Sequence, residues 1–246
     1  QFKKLEDKRK NGELAEAKAL QERLLPKTLP VIKNLDIAGY LRTSTEVGGD
    51  YYDFFEQPDG SLYAICGDAT GHGTPSGMLV SITKAGLIGL PLDEPNKMLF
   101  DLNRLVKKVD LGILRMSLNI VHFKKNKLKL SSAAMPPCYL YVAKTNKIEE
   151  IQISGLPLGG LYGATFDMEE RSFSKGDIFV IASDGLPEAP NLKGEQLGYQ
   201  AVEDCILANA EKTAEEIKDG LVALGSEWLA GQTTPDDITI VVIKHV

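Results

Sequence analysis

The sequence predicts an α+β fold in which mostly antiparallel sheets are covered by helix pairs, and three observations carry that expectation. Short runs of β type come in blocks, bounded by turns that contain Gly, Asp and Pro. The helical stretches lie between those blocks in consecutive pairs and do not alternate one for one with strands, as a doubly wound parallel sheet would require. The 246 residues, 43% hydrophobic and 25% charged, have the composition of an ordinary globular chain with enough length for a real core.

The elements follow in order. Residues 1–25, QFKKLEDKRKNGELAEAKALQERLL, place Leu14, Ala17, Leu20 and Leu24 at helical spacing, and Pro26 and Pro30 end that helix. Its apolar stripe is thin, short of the ~3 heptads that identify a coiled coil. Two readings therefore stand side by side: a solvated helix packed on the domain, or the last turns of a coiled-coil linker that joins an upstream sensor domain and offers a homodimer contact. Beyond Pro30 come the strands LDIAGYL (35–41), YYDFF (51–55) and SLYAICG (61–67), with PDG at 58–60 as a hairpin turn. Helical spacing runs from Thr74 to about Leu90, where Pro91 closes it, and a second helix fits 95–109 with Pro95 at its start. Strands return at 116–123, 127–132, 138–143 and 176–184, helices at 197–209 and 213–230, and the strand DITIVVI (237–243) closes the chain. This divides it into a linker helix over residues 1–30 and one domain over 31–246.

Composition removes several function classes. The formal net charge is −6 and the Lys and Arg residues form no long stripe, which argues against nucleic acid as a partner. The three cysteines, Cys66, Cys138 and Cys205, are odd in number and widely spaced, as suits buried thiols in a reducing compartment better than disulfides or a zinc site. No apolar run approaches the roughly 18 residues of a membrane span. The expected location is the cytoplasm, and the opening Gln1 fits a piece of a longer chain.

The chemistry gathers on acids at strand ends. Asp50 follows Gly48 and Gly49, Asp68 ends the strand 61–67, Asp184 ends the strand in IASDG, and the pair Asp236 and Asp237 opens the last strand. Taken singly, an Asp beside Gly suits a turn, through side-chain to backbone hydrogen bonds. Four in matching settings, with no basic residue beside them, form a group that repels itself unless cations neutralise it. All-oxygen ligation selects hard cations, hence Mg²⁺ or Mn²⁺. Gly71 and Gly73 give the chain after Asp68 the freedom to bend closely around such a site.

The segments VGGDYYDFF, GDATGHG, GLPLGG, ASDGLPEA and DDITIVVI occur in one order. From about residue 24 to the end the chain thereby resembles the SpoIIE-like branch of the metal-dependent protein phosphatases, the PPM family related to type-2C phosphatases. The resemblance implies a four-layer αββα sandwich of two mostly antiparallel sheets flanked by helix pairs, with a site for two divalent cations, Mn²⁺ or Mg²⁺, between the sheets at one end. It further implies that Asp68 bridges the two cations and that Asp50 binds directly or through water. The backbone carbonyl of Ala69 completes one site, and Asp184 with Asp236 holds the other. Asp237 is the alternative to Asp236, and Asp53 is a supporting rather than a ligating acid. The implied substrate is a phosphoserine or phosphothreonine on a regulatory protein such as a STAS-type anti-sigma-factor antagonist.

Two cations about 4 Å apart lower the pKa of a shared water and neutralise phosphoryl oxygens, so no protein nucleophile is required. None is evident: no Cys lies in a phosphate-cradling loop and no Ser-His-Asp arrangement emerges. His72, in the loop after Asp68, is the candidate to protonate the leaving oxygen, set against a plain hydrogen-bonding role. His122 and His245 suit packing or exposure. The motif AAMPP (133–137) has Met135 where many members of the family carry a polar group, and the short segments 110–116 and 161–166 leave little room for a flap, which shifts substrate selection to a docking surface. GGDYYDFF is also similar to the signature of cyclic di-GMP cyclases, but Tyr51 stands where that signature has an acid. A non-catalytic phosphatase-like module that binds a regulatory partner is the remaining alternative.

Overall fold

The protein is described by a computed structural model that covers the backbone of residues 2–246, with the side chains of residues 1–8, 10 and 11 outside the description. Its elements are α1 (Phe2–Glu22), β1 (Leu35–Arg42), β2 (Asp50–Glu56), β3 (Leu62–Ala69), α2 (Thr74–Gly89), α3 (Pro95–Val109), β4 (Met116–Lys124), β5 (Lys127–Ala133), β6 (Cys138–Val142), β7 (Lys147–Ile151), β8 (Met168–Ser172), β9 (Ile178–Ala182), α4 (Tyr199–Ala208), α5 (Ala214–Leu229) and β10 (Ile238–His245). Two five-stranded sheets result, one in the order β1-β10-β9-β6-β7 and one in the order β2-β3-β4-β5-β8. Every strand pair in both is antiparallel.

Alternation along the strands builds the layers. In β3, Leu62, Ala64 and Cys66 face the opposite sheet, while Tyr63, Ile65 and Ala69 face α2 and α3. In β9 and β10, Phe179, Ile181, Val241 and Ile243 face the centre, while Val180, Ile240 and Val242 meet α4 and α5. These strands are buried on both faces, which is why β9 reads as an unbroken apolar run and β10 as one interrupted only by Thr239 before its last two residues. The order of layers is α2 with α3, the β2 sheet, the β1 sheet, then α4 with α5, the αββα sandwich that the resemblance implies.

The helices form for local reasons. Pro75 and Pro95 sit in the first turns of α2 and α3, where no backbone N–H is lost. α3 is strongly amphipathic and buries Met98, Leu99, Leu102 and Val106. α5 opens on a capping box, with the Thr213 side chain accepting from the Glu216 N–H while Glu216 reaches back to Thr213. α1 is solvated along most of its described length, and only its last turns meet the domain. There the Gln21 side chain is buried, and the turn beyond brings Leu25 and Ile32 to the edge of the central core.

Two strands have no counterpart in the sequence reading, β7 (KIEEI) and β8 (MEERS). Both lie at the edge of a sheet, where one side of the ladder is unpaired and charged side chains block further pairing. Their apolar signal is weak because they have little to bury.

An aromatic cluster fixes the spacing of the sheets: the ring of Phe123 lies 5.1 Å from that of Phe173 and 5.7 Å from that of Phe179. Truncating Phe179, which is fully buried, is expected to cost about 3–5 kcal/mol. Urea unfolding of Phe179→Ala checks this, through a lowered midpoint at an unchanged slope.

Candidate metal centre

The acids meet at one end of the sandwich because of strand register. Asp50 and Asp68 are directly paired across β2 and β3, and both project on the face that looks toward the other sheet. Asp184 lies two residues past the end of β9, and Asp236 and Asp237 immediately precede β10. Since β9 and β10 are antiparallel neighbours, the end of one and the start of the other lie at the same end of their sheet.

Asp50 is 3% exposed and is held from across the sandwich. Its Oδ2 accepts from Ser183 Oγ at 2.8 Å and from Thr239 Oγ1 at 2.7 Å. Burial and the nearby Asp68 push its carboxyl well up from the ordinary carboxylate range, against which the two hydroxyls work. Asp68 is half-buried and pushed up to about 7, first by burial and then by Asp184, Asp236 and Asp237. Asp184 is raised by burial, Asp236 and Glu188. No cation figures among the influences on Asp68 or Asp184. Among the described residues, no group of three or more His, Cys, Asp and Glu already stands at metal-ligand spacing. Without positive charge between them, carboxylates resist both ionisation and closer approach.

The donor set itself fits a hard divalent cation. It is all oxygen, it is walled by apolar strands, and its charge is uncompensated by any Lys or Arg. The adjacent members of the last acidic pair have different surroundings. Asp237 is 4% exposed and spends both oxygens on the loop between β1 and β2: Oδ1 accepts from Ser44 N at 2.6 Å and Ser44 Oγ at 3.0 Å, while Oδ2 accepts from Gly49 N at 2.7 Å and Asp50 N at 3.2 Å. Asp236 is exposed, its carboxylate accepts the Asp237 N–H at 2.8 Å while its carbonyl accepts from Thr234 Oγ1, and it acts on Asp68 and Asp184.

Two glycine positions are required by close approach. A Cβ on Gly48 would lie 2.3 Å from Asp237 Oδ2, and one on Gly185 would lie 1.9 Å from the Asp237 carbonyl oxygen. The loop after Ala69 turns through Gly71 and Gly73 at φ 82° and 83°, which releases the chain directly into α2. His72 sits between them, exposed and without a hydrogen bond to its ring among the described residues.

The other residues singled out in the sequence take different places. Asp53 faces α2, where it accepts from Tyr51 Oη at 2.6 Å and from Lys84 Nζ at 2.8 Å. Met135 is buried between the sheets, so its departure from the usual motif fills core. The His122 ring stacks on Tyr63 at 4.0 Å, with Nε2 3.1 Å from Ser61 Oγ, and His245 packs edge-on against Phe173 at 5.7 Å. All three thiols are free.

Three contributors escaped the sequence reading: Ser183, Thr239 and Gln21. Thr239 carried a signal, as a fully buried hydroxyl in an otherwise apolar central strand. Gln21 carried none, lying in a charged helix, yet its amide grips Gly48 twice. Nε2 donates to the Gly48 carbonyl at 2.6 Å and Oε1 accepts the Gly48 N–H at 2.9 Å. α1 is thereby tied to the loop that carries Asp50, and Lys84 of α2 reaches the carbonyl of Leu24 just beyond it.

Comparison with known proteins gives the family and the fold. The sequence profile of the family described as Stage II sporulation protein E (SpoIIE) matches residues 58–246. The phosphoserine phosphatase RsbU of Bacillus subtilis is 28% identical over 241 residues, which is 95% of this chain and 70% of the relative. Among solved structures, the SiaA-PP2C domain of Pseudomonas aeruginosa superposes with a TM-score of 0.83 at 21% identity, covering 97% of this chain and 98% of that one. The PP2C phosphatase domain, with a fragment of the regulatory domain, of the cell fate determinant SpoIIE from Bacillus subtilis gives 0.70 at 20% identity, over 87% of this chain and 64% of that one.

The different surroundings of the two neighbouring acids have a measurable consequence. Asp237→Ala strands buried N–H groups of Gly49 and Asp50 and is expected to cost about 2–5 kcal/mol, whereas Asp236→Asn stays within about 0.5 kcal/mol. Chemical denaturation of the two variants without divalent cations checks the contrast.

Proposed function

The chain belongs to the SpoIIE family and is a protein serine/threonine phosphatase; we propose that it uses two divalent cations, Mn²⁺ or Mg²⁺, held by Asp50, Asp68, the Ala69 carbonyl, Asp184 and Asp236, to hydrolyse a phosphoserine or phosphothreonine on a regulatory protein. The observation that carries this reading is the strand register that sets Asp50 opposite Asp68 and brings Asp184 and Asp236 to one end of the facing sheet. Bound there, the cations supply an activated water and neutralise the phosphoryl oxygens.

The chain's own residues do the rest. Asp68, opposite Asp50 in the ladder and under the influence of Asp184 and Asp236, would be the acid that both cations share. Asp50 is kept in one orientation by Ser183 and Thr239, which favour its ionised form and leave its other oxygen for the site. Asp237 spends its oxygens on the backbone of Ser44, Gly49 and Asp50 and so positions Asp50, which supports Asp236 as the member of the pair that would hold a cation. His72 stands exposed at the mouth and delivers a proton to the departing serine or threonine oxygen.

The partner and the cell context follow the same reading. The substrate is a small phosphorylated regulator of the anti-sigma-factor-antagonist type, consistent with a relative named a phosphoserine phosphatase. Among the described residues no helix is long and apolar enough to cross a membrane, and the free thiols suit the cytoplasm. Residues 1–30 act as a linker helix that carries the state of an upstream sensor, and of a second copy of the chain, to the domain at 31–246. The contact that would transmit it is Gln21 on Gly48, two residues before Asp50.

Hydrolysis of para-nitrophenyl phosphate tests the chemistry. Activity is expected only with Mn²⁺ or Mg²⁺, and Asp68→Asn or Asp184→Asn lowers it on the order of 100-fold or more while abolishing the rise in Tm that Mn²⁺ gives the unaltered protein. Metal-independent turnover, or an unchanged thermal response in both variants, would sink the mechanism. The linker is tested separately, by the Mn²⁺ affinity of Gln21→Ala and of protein lacking residues 1–25. A shift of about tenfold is expected, and affinities identical to the full chain would rule out α1 as an input.

A further inference from the structure

The surface beside the acidic site is apolar and basic, and its loops are fixed in place. Ile113 is 90% exposed, Leu161 58% and Tyr162 64%, with Leu156 half-exposed beside them. The two loops that carry them touch, since a Cβ on Gly159 would lie 3.7 Å from the Leu114 carbonyl and 3.8 Å from Arg115 Cδ. They also adjoin the site: Thr70, which follows Ala69, donates its N–H to the Arg115 carbonyl at 2.9 Å and accepts the Arg115 N–H on Oγ1 at 2.9 Å.

Exposed apolar loop tips are ordinarily mobile, but this pair is anchored from beneath. Asn103 of α3 is fully buried and spends its amide on the loop, accepting from Gly159 N at 2.9 Å and donating to the Leu161 carbonyl at 2.9 Å. Met116 and Leu158 exchange two backbone hydrogen bonds at 2.8 and 3.2 Å. Tyr162 is held at its rim, with Lys107 Nζ 5.6 Å above its ring. A buried amide committed to holding exposed leucine and tyrosine side chains still is what a preorganised binding surface requires, and a contiguous exposed apolar patch marks an interaction site.

Charge identifies the occupant. At the patch Lys107 lies over Tyr162 and Arg115 beside Gly159, and α3 adds Arg104 and Lys108 against Asp101 and Asp110, with Asp101 3.5 Å from Arg104. The Arg115 guanidinium bonds only to the carbonyls of Gly112 and Leu114, at 2.7 Å each, with no carboxylate partner among the described residues. The cluster of Asp68, Asp184 and Asp236 would repel an acidic ligand, so neighbouring cations are needed to bring one in. We propose that the loops 110–115 and 155–164 form the substrate-docking surface, and that it takes an acidic phosphoserine segment bearing apolar side chains. This rests on the phosphatase reading, and it supplies the selection that a flap would otherwise provide.

Two variants at solvent-facing positions, Ile113→Asp and Lys107→Glu, test it with Mn²⁺ present. The probes are a phosphoserine peptide flanked by Glu and Leu, the same peptide flanked by Lys, and para-nitrophenyl phosphate. Either variant is expected to lower kcat/KM for the acidic peptide about tenfold or more, to leave para-nitrophenyl phosphate within about twofold, and in Lys107→Glu to erase the preference for acidic flanks. No change on the acidic peptide, or equal losses on peptide and aryl phosphate, overturns the proposal. Anisotropy of the labelled acidic peptide on the Asp68→Asn protein separates docking from catalysis. Binding that Ile113→Asp abolishes upholds the surface even if no probe is hydrolysed, and binding that is absent or indifferent to Ile113→Asp refutes it even if hydrolysis is seen.

Discussion

Asp50 and Asp68 stand opposite one another in a β ladder with apolar walls on either side, and the rest of the site follows from the need to hold that repulsion still. A pair of like charges at one rung destabilises the ladder that carries it. The protein answers with hydrogen bonds imported from the other sheet. Ser183 and Thr239 fix one acid, and Asp237 fixes the backbone before it. Sheet-to-sheet registration and the placement of the carboxylates are therefore one problem, solved by the same few polar groups in an otherwise apolar sandwich.

The glycines belong to that solution. Gly48 and Gly185 bring main chain so near Asp237 that no side chain fits, Gly48 against its carboxylate and Gly185 against its main-chain carbonyl, so the two loops close on a single residue. The same loop is gripped from outside by Gln21, so three separate parts of the chain share the positioning of Asp50. Lys84 joins Asp53 in β2 to the carbonyl of Leu24, which makes α2 a party to the arrangement as well.

Much of this was legible beforehand, and the reasons are physical. Strands buried on both faces announce themselves as apolar runs, Pro marks the first turns of α2 and α3, and Asp at strand ends, beside Gly at Asp50, Asp68 and Asp184, pointed to the end of the sandwich where the strand register places them. β7 and β8 were invisible because an edge strand is selected for charge as much as for burial. The distinct surroundings of Asp236 and Asp237 were invisible too, since adjacent residues of one type differ only in which way each side chain turns. Gln21 shows the limit most plainly: a residue whose partner lies 27 positions away leaves no local trace.

The two edge strands also divide the sandwich into unequal sides. At the β1 and β2 side, the sheets are joined by a short loop of chain that Asp237 and Gln21 clasp. At the β7 and β8 side the sheets are joined by the chain passing from β7 to β8 and from β8 to β9, by the buried Phe173, and at the surface only by an exposed ion pair, Arg171 to Glu149 at 3.8 Å, of a kind worth little in water. The polar clasp of the sandwich thus coincides with the chemistry, and the side at β7 and β8 is held by apolar packing and chain connection instead. Amide exchange would begin at β7 and β8 and reach the clasped side last, and the exposed turn at 144–146 between β6 and β7 is where an affinity tag, a fluorophore or an inserted segment would disturb the protein least.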